Sequence, residues 1–233
     1  MKVFAPLILC LLPLGAFANT DDMPDCLALD AQDRPQAVVS ACDALLPTVT
    51  GDASLHAAGL QARGVAYRAL GDLTASARDL EASVAEFEDA AALRMLGWTY
   101  RQMGRYREAV DVYTQSLRLE DHWQAWLSRC VVRQDLGHDW RALRDCRKAL
   151  QRTTDNTDVL YFTARALNEM RRPHEAKQLA LEAMQLAPSD PRHVTQYVLA
   201  LHLQGDARKA SNVARLGLER FPAEKSFESF IQD

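Results

Sequence analysis

A three-residue turn signature returns along this chain at nearly constant spacing. Leu70-Gly71-Asp72, Met103-Gly104-Arg105, Leu136-Gly137-His138, Met170-Arg171-Arg172 and Gln204-Gly205-Asp206 follow one another at steps of 33, 33, 34 and 34 residues. On either side of each signature, apolar residues recur at three- and four-residue intervals, the period of one helix face. In the clearest copy Leu93, Leu96, Trp98 and Tyr100 precede the break at Gly104, and Tyr106, Ala109, Val112, Tyr113, Ser116 and Leu117 follow it. The pattern predicts helical hairpins, and a hairpin repeated at fixed period buries its face on its own neighbours.

Small residues recur in register with the turns. The first helix of each unit carries Gly64, Gly97, Cys130, Ala164 and then the looser Val198. The second helix carries Ser76, Ala109, Ala142, Ala176 and Ala210, and later Ser83, Ser116, Ala149, Ala183 and Gly217. Such sites let two helices approach closely, while aromatic residues such as Tyr100, Tyr106 and Tyr113 fill the space around them. Pro188 and Pro222 sit where one unit ends and the next helix must start.

These residues resemble the tetratricopeptide repeat family, whose unit is a 34-residue helix–turn–helix with small residues at these sites and a terminal proline. The resemblance covers about Ala57 to Glu224 and is most specific over Ala90 to Asp121. It implies an all-α fold: a right-handed superhelical solenoid of about five hairpins with capping helices at both ends. The departures are Ser76 for the usual alanine, Arg171 for a turn glycine, Pro173 at an aromatic site, and an aromatic-poor last unit. Pro173 suits a first helical turn, so it should reshape a turn without breaking a helix.

Ahead of the repeats, Met1-Lys2, the apolar run Val3 to Phe17 and the small-x-small site Ala16-Phe17-Ala18 read as a secretory signal cut after Ala18. The apolar run is shorter than the roughly 20 residues of a spanning helix. Cys10 follows Leu-Ile-Leu rather than the small residues a lipidation site needs. Pro35 opens a helix with Ala37, Val38, Ala41, Leu45 and Leu46 on its apolar side. The chain thus divides into a signal peptide at 1–18, a leader and capping helix at 19–53, a repeat domain at 54–224 and a C-terminal cap at 225–233. The units lie near 57–89, 90–122, 123–156, 157–190 and 191–224.

Cleavage would leave Cys26, Cys42, Cys130 and Cys146, an even number in a chain expected to meet an oxidising compartment. Four cysteines allow three pairings. The local one joins Cys26 to Cys42 and Cys130 to Cys146, with spacings that suit a bridge between helices of one hairpin; small buried thiols are the alternative. The helix with its Cys-x15-Cys spacing ahead of the repeats also resembles the layout of secreted repeat proteins from Gram-negative bacteria. That resemblance implies an exported protein of bacterial type in the periplasm.

A repeat fold assigns no activity, so function must be sought on its surfaces. In stacks of this family the first helices line a concave groove. Arg94, Trp98 and Arg101 fall at i, i+4 and i+7 on one face. Gln61 and Arg68 precede them, and Leu127, Val131, Gln134, then Tyr161, Arg165 and Asn168 follow. Aromatic anchors among arginines suit a partner polypeptide with apolar and acidic character, because arginine pairs with carboxylates in a fork. Some relatives clamp a partner's C-terminal carboxylate with Lys, Asn and Arg; here those places hold Gln61 and Val65, Arg94 and Trp98, Leu127 and Val131, so that activity is not implied.

The six histidines are scattered without metal-ligand spacing, and no nucleophile elbow or phosphate-binding glycine loop is present, so no catalytic residue, metal or cofactor is expected. A formal net charge of −4 gives no electrostatic reason to expect nucleic acid. Trp123, Trp126 and Trp140 cluster around the third hairpin and are expected in the core. The expectation is a non-enzymatic adaptor, scaffold or assembly factor that binds another protein and meets the membrane only during export. A self-associating structural protein is the competing arrangement, and a small-molecule-binding protein a more remote one.

Overall fold

The structure is a computed structural model and describes residues 25–153 and 155–231, so the expected signal peptide lies outside the described residues. Two compact units are present, one ending at Asp121 and one beginning at His122. All regular structure among the described residues is helical.

The first unit contains α1 (Asp25–Ala28), α2 (Pro35–Leu45), α3 (Ala53–Ala69), α4 (Leu73–Glu86), α5 (Ala90–Gln102) and α6 (Tyr106–Leu119). Asp52, Asp72 and Asp89 start α3, α4 and α5 by accepting from the backbone N–H of Leu55, Ala75 and Ala92, which satisfies a donor that the helix itself leaves orphaned. Gly71 and Gly104 adopt φ of 84° and 74° between the helices of a hairpin, a conformation that strains any residue with a Cβ. The small sites then set the helix spacing. A Cβ on Gly97 would lie 2.7 Å from the buried Tyr113 ring, so the α5–α6 approach exists only because the side chain is missing.

Two serines close these hairpins. Ser83 Oγ donates to Ala57 O at 2.8 Å, and Ser116 Oγ donates to Ala90 O at 2.9 Å, which ties the end of each second helix to the start of its first. Beneath α3, Val38 and Cys42 of α2 pack with Cys26, Val65 and Ala66. Ala37 departs from the expected apolar side and is exposed, because α2 buries only the narrow stripe that faces α1 and α3. The sulfurs of Cys26 and Cys42 are at bonding distance, with their Cα atoms 4.7 Å apart.

The second unit contains α7 (Trp123–Asp135), α8 (Asp139–Leu150), α9 (Thr157–Glu169), α10 (Pro173–Leu186), α11 (Pro191–Leu203), α12 (Ala207–Arg220) and a 3-10 turn at Lys225–Phe230. Pro173 occupies the first turn of α10 and leaves it intact, as the sequence predicts. The terminal turn lays the buried Phe227 ring over Gly217, where an added Cβ would meet it at 3.0 Å, and so covers the end of the last hairpin. The sulfurs of Cys130 and Cys146 are at bonding distance and join α7 to α8, with Cα atoms 5.3 Å apart.

A second device joins the same two helices. Arg129 grips Asp145 through Nε at 2.8 Å and Nη2 at 3.1 Å, and Arg133 adds a third bond. Asp145 is fully buried. In the first unit Arg63 grips the buried Asp79 in the same way, at 2.6 and 3.2 Å, across the same 16-residue separation.

Arg171 stands at the turn position held elsewhere by glycine and has φ of 55°. An L-residue there carries roughly 1–2 kcal/mol of steric cost. Arg171→Gly is therefore expected to stabilise the protein by about 1 kcal/mol net, after the greater freedom of glycine in the unfolded chain is counted. Chemical denaturation checks this directly: an unchanged or lowered midpoint would show that the turn carries no strain.

Candidate functional site

In the first unit the two first helices, α3 and α5, lie side by side. Arg68, in the last turn of α3, reaches across to α5 and donates from Nη1 to Met95 O at 3.3 Å. Its guanidinium then lies 4.3 Å from the centre of the Trp98 ring, a cation–π contact. Only 9% of Arg68 is exposed, whereas Trp98 shows 48% of its surface. Among the described residues no carboxylate pairs with Arg68, and burial pushes its pKa down from the ordinary arginine value. A guanidinium in this state has donors in a fixed fork and no anion to receive them.

The other expected groove residues of this unit take different places. Gln61 is buried, its Nε2 3.2 Å from Met95 Sδ and its Oε1 without a partner. Arg94 is held by Glu120 at 3.0 Å. Arg101 is half-buried on the same helix as Trp98. The structure therefore brings Arg68 and Trp98 together, while Arg94 is already engaged and Gln61 is covered.

In the second unit Gln134 and Asn168 occupy the place in α7 and α9 that Arg68 holds in α3. Gln134 Nε2 donates to Phe162 O at 2.9 Å, and Asn168 Nδ2 donates to Gln196 O at 3.1 Å. Each reaches a backbone carbonyl in the middle of the next first helix, using the lone pair that the helix leaves spare. Both are buried, as is Val131. Leu127 packs against the Cys130–Cys146 cluster, and Arg165 is paired with Glu169 at 2.9 Å. Tyr161 sits edge-on to Phe162 and beneath Arg192, whose guanidinium lies 5.1 Å from its ring centre. Near it His193 is fully buried with neither ring nitrogen hydrogen-bonded, and burial pushes its pKa down.

The tryptophans differ from the sequence expectation. Trp140 is 56% exposed, and Trp123 and Trp126 are half-buried, so none of the cluster is core. Ala142, Cys146 and Ala149 supply the buried side of α8 with Leu143 at its edge, which leaves Trp140 exposed among arginines. Helical position, read from 140 to 149, carries that signal; residue type alone does not.

Among the described residues no group of three His, Cys, Asp or Glu side chains could hold a metal, and no helix is long and apolar enough to cross a membrane.

Residues 92–122, spanning α5 and α6, match the family model for the tetratricopeptide repeat. This hairpin is a tetratricopeptide repeat. No curated protein matches it at the level of sequence. Among solved structures, the chain is similar to YrrB, described as a tetratricopeptide repeat protein with an unusual peptide-binding site, with a TM-score of 0.69 and 14% identity over 82% of this chain and 97% of that one. It is also similar to the MamA protein of Desulfovibrio magneticus, with a TM-score of 0.67 and 16% identity over 72% and 96%. The Pseudomonas aeruginosa pilF structure matches with a TM-score of 0.66 and 14% identity over 86% and 97%. At these identities the likeness establishes the fold, and the repeat model identifies the unit from which it is built.

Proposed function

We propose that this protein is a non-enzymatic adaptor that holds a partner polypeptide on the first-helix face of its first unit, with Arg68 and Trp98 as the anchor pair. The observation that carries this reading is a guanidinium nine-tenths buried beside an exposed indole and without a carboxylate. Burying a charge unpaired is costly, and a carboxylate from a partner supplies both the counter-charge and acceptors for the fork. The indole offers the partner a large apolar surface with little rotamer entropy to lose. A segment that places an acidic side chain next to an apolar one fits both. The unusual peptide-binding site of YrrB supports a polypeptide ligand for this fold.

We place the protein in the periplasm. The export signal expected at 1–18 and the two cysteine pairs at bonding distance both suit an oxidising compartment.

Arg68→Met separates binding from folding. Partner affinity is expected to fall by about thirtyfold or more, the scale of losing a buried arginine anchor. Thermal stability should hold or rise, since the change removes an unpaired buried charge and keeps the packing volume. The partner is obtained by photo-crosslinking in the native organism from position 98, with Gln115 on the exposed side of α6 as control. A polypeptide captured from position 98 alone, whose binding the variant weakens, supports the anchor. Unchanged binding with Arg68→Met would remove it, and capture of the protein's own chain would indicate self-association.

A further inference from the structure

The exposed side of α8 carries a feature that the adaptor reading leaves unused. Trp140 stands out from the helix with the guanidinium centres of Arg141 and Arg144 at 5.1 and 5.6 Å from its ring centre. Beside it an open cleft of about 370 Å³ has Trp140, Leu143 and Met170 as apolar wall and Arg144, Arg147, Lys148 and Arg172 as cations. Glu175 bonds Arg147 and Arg172, each at 2.7 Å, and holds those two in place. Arg144 and Lys148 have no carboxylate partner among the described residues. The excess of positive charge is felt behind the helix as well: after burial, Arg144 and Arg141 are among the groups that push the pKa of Arg133 down.

We propose that this cleft binds a phosphoester joined to an apolar body, the chemistry of an anionic phospholipid headgroup and its glycerol. Glu175 neutralises part of the cluster, and a net positive charge is left to attract an anion. A phosphate presents several oxygens to donors arriving from different directions, here Arg144 and Lys148 from α8 and Arg172 from the turn before α10. The cleft volume lies in the range of small-ligand sites. Its apolar wall requires more than a bare ion, and an exposed tryptophan ringed by cations is the side-chain set of a water–headgroup boundary. The site lies in the second unit and is independent of Arg68, which belongs to the first.

The test uses the full chain. Co-sedimentation is measured with phosphatidylcholine vesicles with and without phosphatidylglycerol, and tryptophan fluorescence is titrated with dihexanoyl phosphatidylglycerol below its micelle concentration, inorganic phosphate and a short oligoglutamate. Saturable binding of the short-chain phospholipid is expected, weakened about thirtyfold by Arg144→Gln with Lys148→Gln. Trp140→Ala should weaken it too, and Arg68→Met should leave it unchanged. Arg144, Lys148 and Trp140 are exposed, so these variants retain the fold, which circular dichroism confirms. Parallel binding to phosphatidylglycerol vesicles identifies a bilayer as the source of the ligand, and binding of the short-chain form alone identifies a free phosphoester. Absence of binding, binding that the double variant retains, inorganic phosphate bound as tightly as the phospholipid, or preference for oligoglutamate would each overturn the proposal.

Discussion

Asp145→Ala is expected to destabilise the protein by about 3–5 kcal/mol, the scale of removing one partner from a buried ion pair. The carboxylate is fully buried between α7 and α8 and receives Arg129 in a fork, with Arg133 alongside. Alanine removes the acceptors of the fork, while the Arg129 guanidinium that it served is itself only 6% exposed. Arg133 adds a single bond rather than a fork, and its removal leaves Arg129 paired with Asp145, so Arg133→Ala should cost distinctly less. Denaturant midpoints at constant slope measure both. A loss below about 1 kcal/mol for Asp145→Ala would place the pair among ordinary surface bridges. Arg129→Met combined with Asp145→Leu should recover most of the loss, because the penalty lies in the uncompensated charge rather than in the absence of the pair.

Removing the Cys130–Cys146 link is expected to cost about 3 kcal/mol, the chain-entropy value for a loop of roughly 15 residues. The two sulfurs join the same pair of helices as the Arg129–Asp145 grip and lie one residue further along each helix. The Cys130→Ala, Cys146→Ala variant keeps small apolar groups at two fully buried sites, so it reports the link rather than a polar substitution. A fall in melting temperature of about 6–12 °C is the corresponding signal for a chain of this size. With Cys26 and Cys42 replaced by alanine in both proteins, reductant should produce the same fall where Cys130 and Cys146 are present and none where they are replaced. Non-reducing peptide mapping checks the pairing itself; free thiols at 130 and 146, or equal melting in both proteins, would reject it. The Arg129–Asp145 pair and this link are close enough to couple, so their combined loss should depart from the sum of the two.

The hairpins were legible because their signals are local. A glycine that takes positive φ, an aspartate that accepts the first helical N–H groups and a small residue opposite an aromatic ring are each dictated by a few neighbouring residues. Gly104, Asp89 and the Gly97–Tyr113 contact all follow from residues within one repeat. The cysteine pairs were partly legible for the same reason, since a 16-residue separation spans one hairpin or its equivalent.

The candidate site was legible only in part. Counting i, i+4 and i+7 along a single first helix finds the side that its own hairpin leaves uncovered, which is how Trp98 and Arg68 come to be singled out. It does not find what the next first helix covers. Gln61, Val131, Gln134 and Asn168 share that side in the helical count, yet they lie in the seam between neighbouring first helices, where Gln134 and Asn168 bond backbone carbonyls. Trp140 went the opposite way, because a large aromatic residue suggests core until Ala142, Cys146 and Ala149 on the other side of α8 have claimed the interior.

By itself the sequence determined the repeat, its turns and the helix faces that close each hairpin, since short-range sterics and helical period act between residues close in the chain. Tertiary structure alone decided that Arg68 is buried without a carboxylate against an exposed Trp98, and that Arg144 and Lys148 share a cleft with Trp140, Met170 and Arg172. Burial and charge balance depend on every neighbour that reaches a side chain, and those neighbours come from helices about 30 residues away, beyond what any local spacing encodes.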